Sequence, residues 1–226
     1  MIGFATTKGR ICKAKKIEAV LRDYLKVQVR KFRILDVGTG NGEIANYFAD
    51  DNFVYCTDIE DQRTNKKRTN FKKVDSEKIP MSDNYFDIVL YNHVIEHVSD
   101  QVKHLKEIKR VLKKNGICYF ATPNRIFPVE PHYKIPFIHY FPNKVFHKLL
   151  RLSGKYKEEL RLLSYFRMKY LISDEFSWSE YTHKIIKYPR KYYYKVPLLS
   201  KLPIGILERI NFISPTNIFI LKKNES

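Results

Sequence analysis

Cysteine is scarce in this chain: Cys12, Cys56 and Cys118 are the full complement, and no two of them form a C-x-x-C pair. An odd, unpaired set suits a reducing compartment rather than a disulfide framework. Cys56 and Cys118 fall in apolar runs that read as buried strands, where cysteine behaves as a small hydrophobe. Long hydrophobic runs are missing as well. No stretch of ~18 apolar residues could span a bilayer, and Met1-Ile2-Gly3-Phe4 opens no signal-peptide core. The expected location is cytoplasmic, compatible with peripheral contact at the inner face of the membrane. Acids are outnumbered, with 24 Asp and Glu against 42 Lys and Arg, a net charge of +18. The imbalance leans to the second half, where residues 123–226 hold 19 Lys and Arg against 8 Asp and Glu. An anionic membrane, RNA or a phosphate-bearing acceptor fits that charge, and so does a lysine-rich proteome with no partner at all.

Glycine is also sparse, yet three of the eight alternate within Ile34-Leu35-Asp36-Val37-Gly38-Thr39-Gly40-Asn41-Gly42. An apolar strand ends in an acid and passes through a turn where glycine lets the backbone approach a ligand. The dinucleotide fingerprint G-x-G-x-x-G requires glycine at position 43, and Glu43 stands there. An acid ahead of the loop suits a cationic ligand better than a phosphate. A second short strand, Phe53–Asp58, ends in a carboxylate 20 positions after Gly38, placed to accept the ribose hydroxyls of a nucleoside lying over the first turn.

The ordered series that follows resembles the class I S-adenosylmethionine-dependent methyltransferases. The glycine loop is similar to their first motif, Phe71-Lys72-Lys73-Val74-Asp75-Ser76 to their third, Tyr85–His97 to their fourth strand and active-site edge, and Lys113–Asn124 to the turn and fifth strand. The similarity covers roughly residues 30–125 and returns at Ser214–Lys222. It implies an α/β fold, Rossmann-like and doubly wound, with seven strands in the order 3-2-1-4-5-7-6, one of them antiparallel, and helices on both faces. It implies S-adenosylmethionine as cofactor, held by Asp36, Gly38, Gly40, Gly42, Asp58, Ile59, Asp75, Ser76 and Asn92, with Asp75 facing the adenine amino group. The segment His93-Val94-Ile95-Glu96-His97 is also similar to the Glu-x-x-Glu-His stretch of metal-binding quinone-ring O-methyltransferases. His93 replaces the first Glu, so no metal is expected.

The rest of the chain can be read by period. Ile17, Val20, Leu21, Tyr24 and Leu25 make Ile11–Lys26 an amphipathic helix. Another helix starts at an Asp100 cap, buries Val102, Leu105, Ile108, Val111 and Leu112, and ends at Asn115-Gly116. Pro123, Pro128, Pro131, Pro136 and Pro142, interleaved with aromatics, exclude a helix or central strand and predict a stiffened loop. Asn143–Tyr170 reads as helical with a break at Gly154, Phe176–Tyr188 as a sixth strand, and Asn217–Lys222 as the last. One domain over residues 1–226 is expected, with a proline-, aromatic- and lysine-rich lid inserted at about 123–175.

Methyl transfer to a hydroxyl needs a group to take the proton, and imidazole has a suitable pKa. His97 and His93 are the catalytic candidates. His132, His139 and Tyr133, in the loop beyond the fifth strand's carboxyl end, are the candidates for substrate contacts in a lid. The leading reading is O-methylation of a small or lipid-linked acceptor such as a sugar. An RNA methyltransferase is the second reading, disfavoured because Asn92-His93 lacks the Pro-Pro-aromatic signature of base N-methylation. A third is a non-catalytic partner subunit that binds the cofactor. Tyr192–Ile210 mixes aromatics, aliphatics and lysines, and reads as a helix packed on the sheet or as a membrane-interface segment.

Overall fold

Alternating helices and short strands build one seven-stranded sheet. The computed structural model describes residues 7–66, 68–75, 77–130, 133–156, 158–195 and 198–224. Ser76 and His132, both expected at the site, lie outside the described residues, as do Val196 and Pro197. The strands are β1 (Arg33–Val37), β2 (Phe53–Asp58), β3 (Asn70–Lys73), β4 (Phe86–Asn92), β5 (Leu112–Pro123), β6 (Phe176–Glu180) and β7 (Thr216–Lys223). Their order is β3-β2-β1-β4-β5-β7-β6, with β7 antiparallel to both neighbours and the other pairs parallel. This is the expected topology.

The sheet is covered on both faces, which is why its inner strands read as continuous apolar runs rather than alternating ones. On one face α1 (Thr7–Leu25) lays Ala14, Ile17, Val20 and Leu21 against Ile34, Leu90, Tyr119 and Ile220, joined by α2 (Glu43–Phe48) and α6 (Thr182–Lys187). On the other, α3 (Gln101–Val111) and α5 (Tyr165–Ser173) bury Leu105, Ile108, Met168 and Ile172 against Leu35, Val89, Phe120 and Leu221. Two further helices, α4 (Asn143–Leu152) and α7 (Ile204–Ile210), lie in the segments either side of β6.

Three boundaries differ from the expectation. Asp100 does cap α3, accepting from the Lys103 N–H at 2.9 Å, but the helix stops at Val111 because Leu112 is already extended and begins β5. Asn115 and Gly116 therefore sit inside a strand. Gly116 serves close packing, since a Cβ there would lie 2.9 Å from the Phe86 carbonyl oxygen across the ladder. Val102, expected on the buried stripe of α3, is exposed, and His104 takes the inner position. The sixth strand ends at Glu180, not Tyr188: Tyr181 and Ile185 recur at helical spacing and pack on the sheet, so α6 takes over. In the stretch after it, Tyr192 is buried and donates to Asp23 at 3.0 Å, whereas Leu198 is 77 % exposed.

Candidate active site

The carboxyl ends of β1, β2 and β4 open on a cavity of about 600 Å³ lined by Val37, Gly38, Asp58, Ile59, Asp75, His93, Val94, His97 and Glu158, among others. The turn after β1 makes its floor. Gly38 has φ +67°, and a Cβ on it would fall 2.6 Å from the Val94 side chain, so any larger residue would collide with the segment that carries the histidines. Thr39 donates its hydroxyl to Asp36 at 2.7 Å. Burial pushes the Asp36 carboxyl up to about 7, and the Asp58 charge adds to the rise against the Thr39 bond. Asp36 is thus placed behind the loop, not on the cavity wall.

Asp58 closes β2 and ties the loop together. Its two oxygens accept from the N–H of Gly40 at 2.7 Å and of Ile59 at 2.8 Å. A carboxylate has about four lone-pair directions, so two remain for hydroxyl donors. Gly40 and Gly42, at φ +55° and +77°, shape the turn into α2 without lining the cavity. Asn92 ends β4 opposite Ala121 and is half-buried.

The next residue is conformationally strained. His93 holds a left-handed backbone, φ +59°, with its N–H on the Ala121 carbonyl at 2.8 Å. For a residue with a Cβ that conformation costs ~1 kcal/mol or more, and such strain gathers at functional sites. It is followed by a single 3₁₀ turn, Ile95–His97, not an α-helical turn. The turn brings Glu96, which is fully buried, to 3.4 Å from His93 Nδ1 and 4.0 Å from His97 Nε2. Thr122 on β5 donates to the other Glu96 oxygen at 3.3 Å.

The two imidazoles differ electrostatically. Burial lowers the pKa of His93, outweighing the pull of Glu96. His97 is also desolvated, but its Nδ1 sits 3.0 Å from Glu158 and feels Glu96 and Asp58, and these acids raise it. The shifts run in opposite directions, towards the free base for His93 and towards the cation for His97. Burial alone would raise Glu96, yet the His93 hydrogen bond and the charges of the two imidazoles hold it below the usual range. With the Nδ1 proton of His93 directed at Glu96, Nε2 is left as the basic nitrogen.

Glu158 was missed by sequence reasoning. It lies 61 positions from its partner His97, in a basic stretch with no motif, and only the fold joins them. The loop candidates are placed differently from the histidines after β4. His139 is 2 % exposed, and its Nε2 lies 3.0 and 2.9 Å from the Arg125 and Phe127 carbonyls, so it braces the loop from inside. Tyr133 is buried against Phe146 and Leu150. Neither lines the cavity. Among the described residues, no group of three His, Cys, Asp or Glu is placed to hold a metal ion.

Residues 35–120, which contain the glycine loop, Asp58 and the histidine turn, match the methyltransferase-domain family. This part of the chain is similar to methyltransferase domains. The chain is 31% identical over 126 residues to an uncharacterized protein of Methanocaldococcus jannaschii, covering 55% of this chain and 52% of that one. It is 30% identical over 109 residues to the ubiquinone/menaquinone biosynthesis C-methyltransferase of Vibrio parahaemolyticus, covering 40% and 42%. The chain thus spans about half the length of the curated relatives it matches. In fold it superposes on an S-adenosylmethionine-dependent methyltransferase from Mesorhizobium loti with a TM-score of 0.59 at 13% identity, over 97% of this chain and 99% of that one. The cavity fits S-adenosylmethionine, the cofactor that this resemblance implies. Asp58, Asp75 and Glu158 are carboxylates suited to a sulfonium cation, and the Gly38 position leaves room that a Cβ would close.

Proposed function

We propose that this protein is a methyltransferase that moves a methyl group from S-adenosylmethionine to a hydroxyl of a small or lipid-linked acceptor, such as a sugar. One observation carries the reading: His93, whose pKa burial lowers, is backed by the buried Glu96 carboxylate and shares a cavity with Asp58. S-adenosylmethionine supplies an electrophilic methyl carbon on a positively charged sulfur. Asp58 accepts the ribose hydroxyls with its two spare lone pairs, and Asp75, which lines the same cavity, accepts from the adenine amino group. Asp36, Gly38, Gly40 and Gly42 hold the turn in shape, with Ile59 and Asn92 at the ends of the flanking strands.

His93 Nε2 takes the acceptor's proton while Glu96 steadies the ring that becomes charged. His97, held as a cation by Glu158, faces the same space and orients the acceptor oxygen. That division reverses the weight given to the two histidines by sequence alone. It follows from opposite shifts on residues four apart.

A second reading has one support, since the Vibrio parahaemolyticus relative is named a C-methyltransferase. The same base could deprotonate a ring hydroxyl and direct the methyl to a ring carbon. The discriminating experiment offers isotope-labelled cofactor with lipid-linked sugars, nucleotide sugars, quinone precursors and tRNA, and locates the new methyl by NMR. A methyl on oxygen of a sugar-bearing acceptor is the expected product. A methyl on carbon selects the second reading. Transfer to tRNA alone selects RNA, and cofactor binding without any transfer selects the non-catalytic subunit.

A further inference from the structure

Residues 124–164, between β5 and α5, fold around a small core of their own. Tyr133, Phe146, Leu150, Leu160 and Leu162 are its buried members. That core occupies only one side of α4. On the outer side Val145, Leu149 and Leu152 stand 41, 36 and 75 % exposed, at i, i+4 and i+7, so they form one stripe. Phe137 and Phe141, just ahead of the helix, are 58 and 51 % exposed. Single exposed apolar side chains are ordinary, but a row of five on one short segment is a patch.

The charge beside the stripe has one sign. Lys144, Lys148 and Arg151 follow it along α4, all exposed. Between Arg125 and Tyr156 the sequence holds six Lys and Arg and a single acid, Glu130, which is fully buried and accepts from the Tyr133 N–H at 2.5 Å. Within that stretch no second acid breaks the row; the exposed Glu158 and Glu159 follow beyond it. RNA would pair with the cations but offer nothing to the leucines. A bilayer containing anionic lipid supplies both hydrocarbon for the stripe and headgroups for the lysines. We propose that α4 and the segment leading into it dock on an anionic lipid bilayer, the helix lying in the interface with its stripe inserted.

The docking segment is fastened to the catalytic cavity. Glu158, six residues beyond Leu152, pairs with His97. The Arg161 N–H donates to the Glu96 carbonyl at 2.8 Å, and Gln101 donates to the Arg161 carbonyl at 2.9 Å. Docking therefore holds the cavity close to the plane in which a lipid-linked acceptor lies. That consequence rests on the reading above; the docking itself does not.

Flotation of the full chain with vesicles of phosphatidylcholine, alone or mixed with phosphatidylglycerol, tests it without cofactor or acceptor. Retention on the mixed vesicles only is expected. Reversing Lys144, Lys148 and Arg151 together to Glu weakens retention by about a hundredfold. Leu149→Ser with Leu152→Ser weakens it by about tenfold or more. Both sets are exposed, so circular dichroism should show the fold unchanged, and Ile204→Ser with Ile206→Ser on α7 should float like wild type. Absence of the chain from mixed vesicles overturns the proposal, as does wild-type retention of the leucine variant, which would mean adsorption by charge alone. A solution dimer dissolved by the leucine variant would assign the stripe to a second copy, and a tRNA gel shift without flotation would assign the cations to RNA. Either overturns it. Because the assay contains no cofactor, its failure and the failure of methyl transfer are read separately.

Discussion

Under the proposed function, three residues set the pH behaviour and the cofactor affinity. Replacing Asp58 with Ala removes a charged acceptor for two ribose hydroxyls, each bond worth ~1.5–3 kcal/mol. Titration calorimetry with S-adenosylhomocysteine should show at least a tenfold loss, and unchanged affinity would remove Asp58 from the site. His93 must be neutral to accept a proton and His97 charged to orient the acceptor. With His93 lowered from 6.5 and His97 raised from 6.5, kcat/KM should rise with pH below 6.5 and fall above it. His93→Gln should abolish the acidic limb with its activity, and His97→Gln should flatten the alkaline one. A profile unaffected by either substitution would place proton transfer elsewhere. Asp36 gives a stability signature. Its carboxyl is raised from 3.8 to about 7 in the folded chain, so ionisation opposes folding. The wild type should lose stability relative to Asp36→Asn as pH climbs from 3.8 towards 7, by up to ~4 kcal/mol, and then level off. Asn keeps an oxygen for Thr39, so thermal melts across that range isolate the charge.

At the level of elements, legibility followed period and end chemistry. β1, β2 and β7 were readable because an apolar run met an acid, a glycine or a proline at its end. The α3–β5 junction was not. Lys113-Lys114-Asn115-Gly116 has the composition of a turn, and only the ladder with Phe86 makes it strand. The contrast between two glycines tests that account. Gly116→Ala places a Cβ 2.9 Å from a backbone oxygen that cannot move aside, whereas Gly205 on α7 has nothing within 4 Å. Melting should fall for Gly116→Ala by the equivalent of ~1–3 kcal/mol and stay level or rise slightly for Gly205→Ala. Equal effects would show that the strand has slack. The proposed catalytic site divides in the same way. His93 and His97 lie in one motif and were legible. Glu158, which sets the charge on His97, is joined to it only by the path of the chain through α4, and no local pattern marks it.

Across the whole molecule, net charge pointed to a partner but could not say where it binds. Residues 123–226 carry most of the excess, yet the sequence pointed to Tyr192–Ile210 as the membrane candidate, and the structure buries Tyr192 there while leaving Leu198 and Ile206 open. The stripe on α4 escaped notice because Phe146 and Leu150 blur its period; only their burial separates the inward row from the outward one. The antiparallel β7 has a different consequence, which concerns the order of events during synthesis. β5 pairs with β7 across more than ninety positions, Pro123 to Thr216 and Ile117 to Lys222, and β6 has β7 as its ladder partner. While a ribosome is still making β7, the half of the sheet from β3 to β5 can close, but β6 has no edge to join and β5 keeps one side bare. Pulse-labelled hydrogen exchange during refolding should therefore show amides of β1 and β4 protected first. Those of Phe176–Glu180 should gain protection in the same phase as β7, and earlier protection of β6 would mean that it docks through α5 alone. Until that last strand arrives, an unpaired edge of buried-type residues such as Cys118 and Phe120 faces outward, the part of this protein most exposed to mispairing with a second nascent chain.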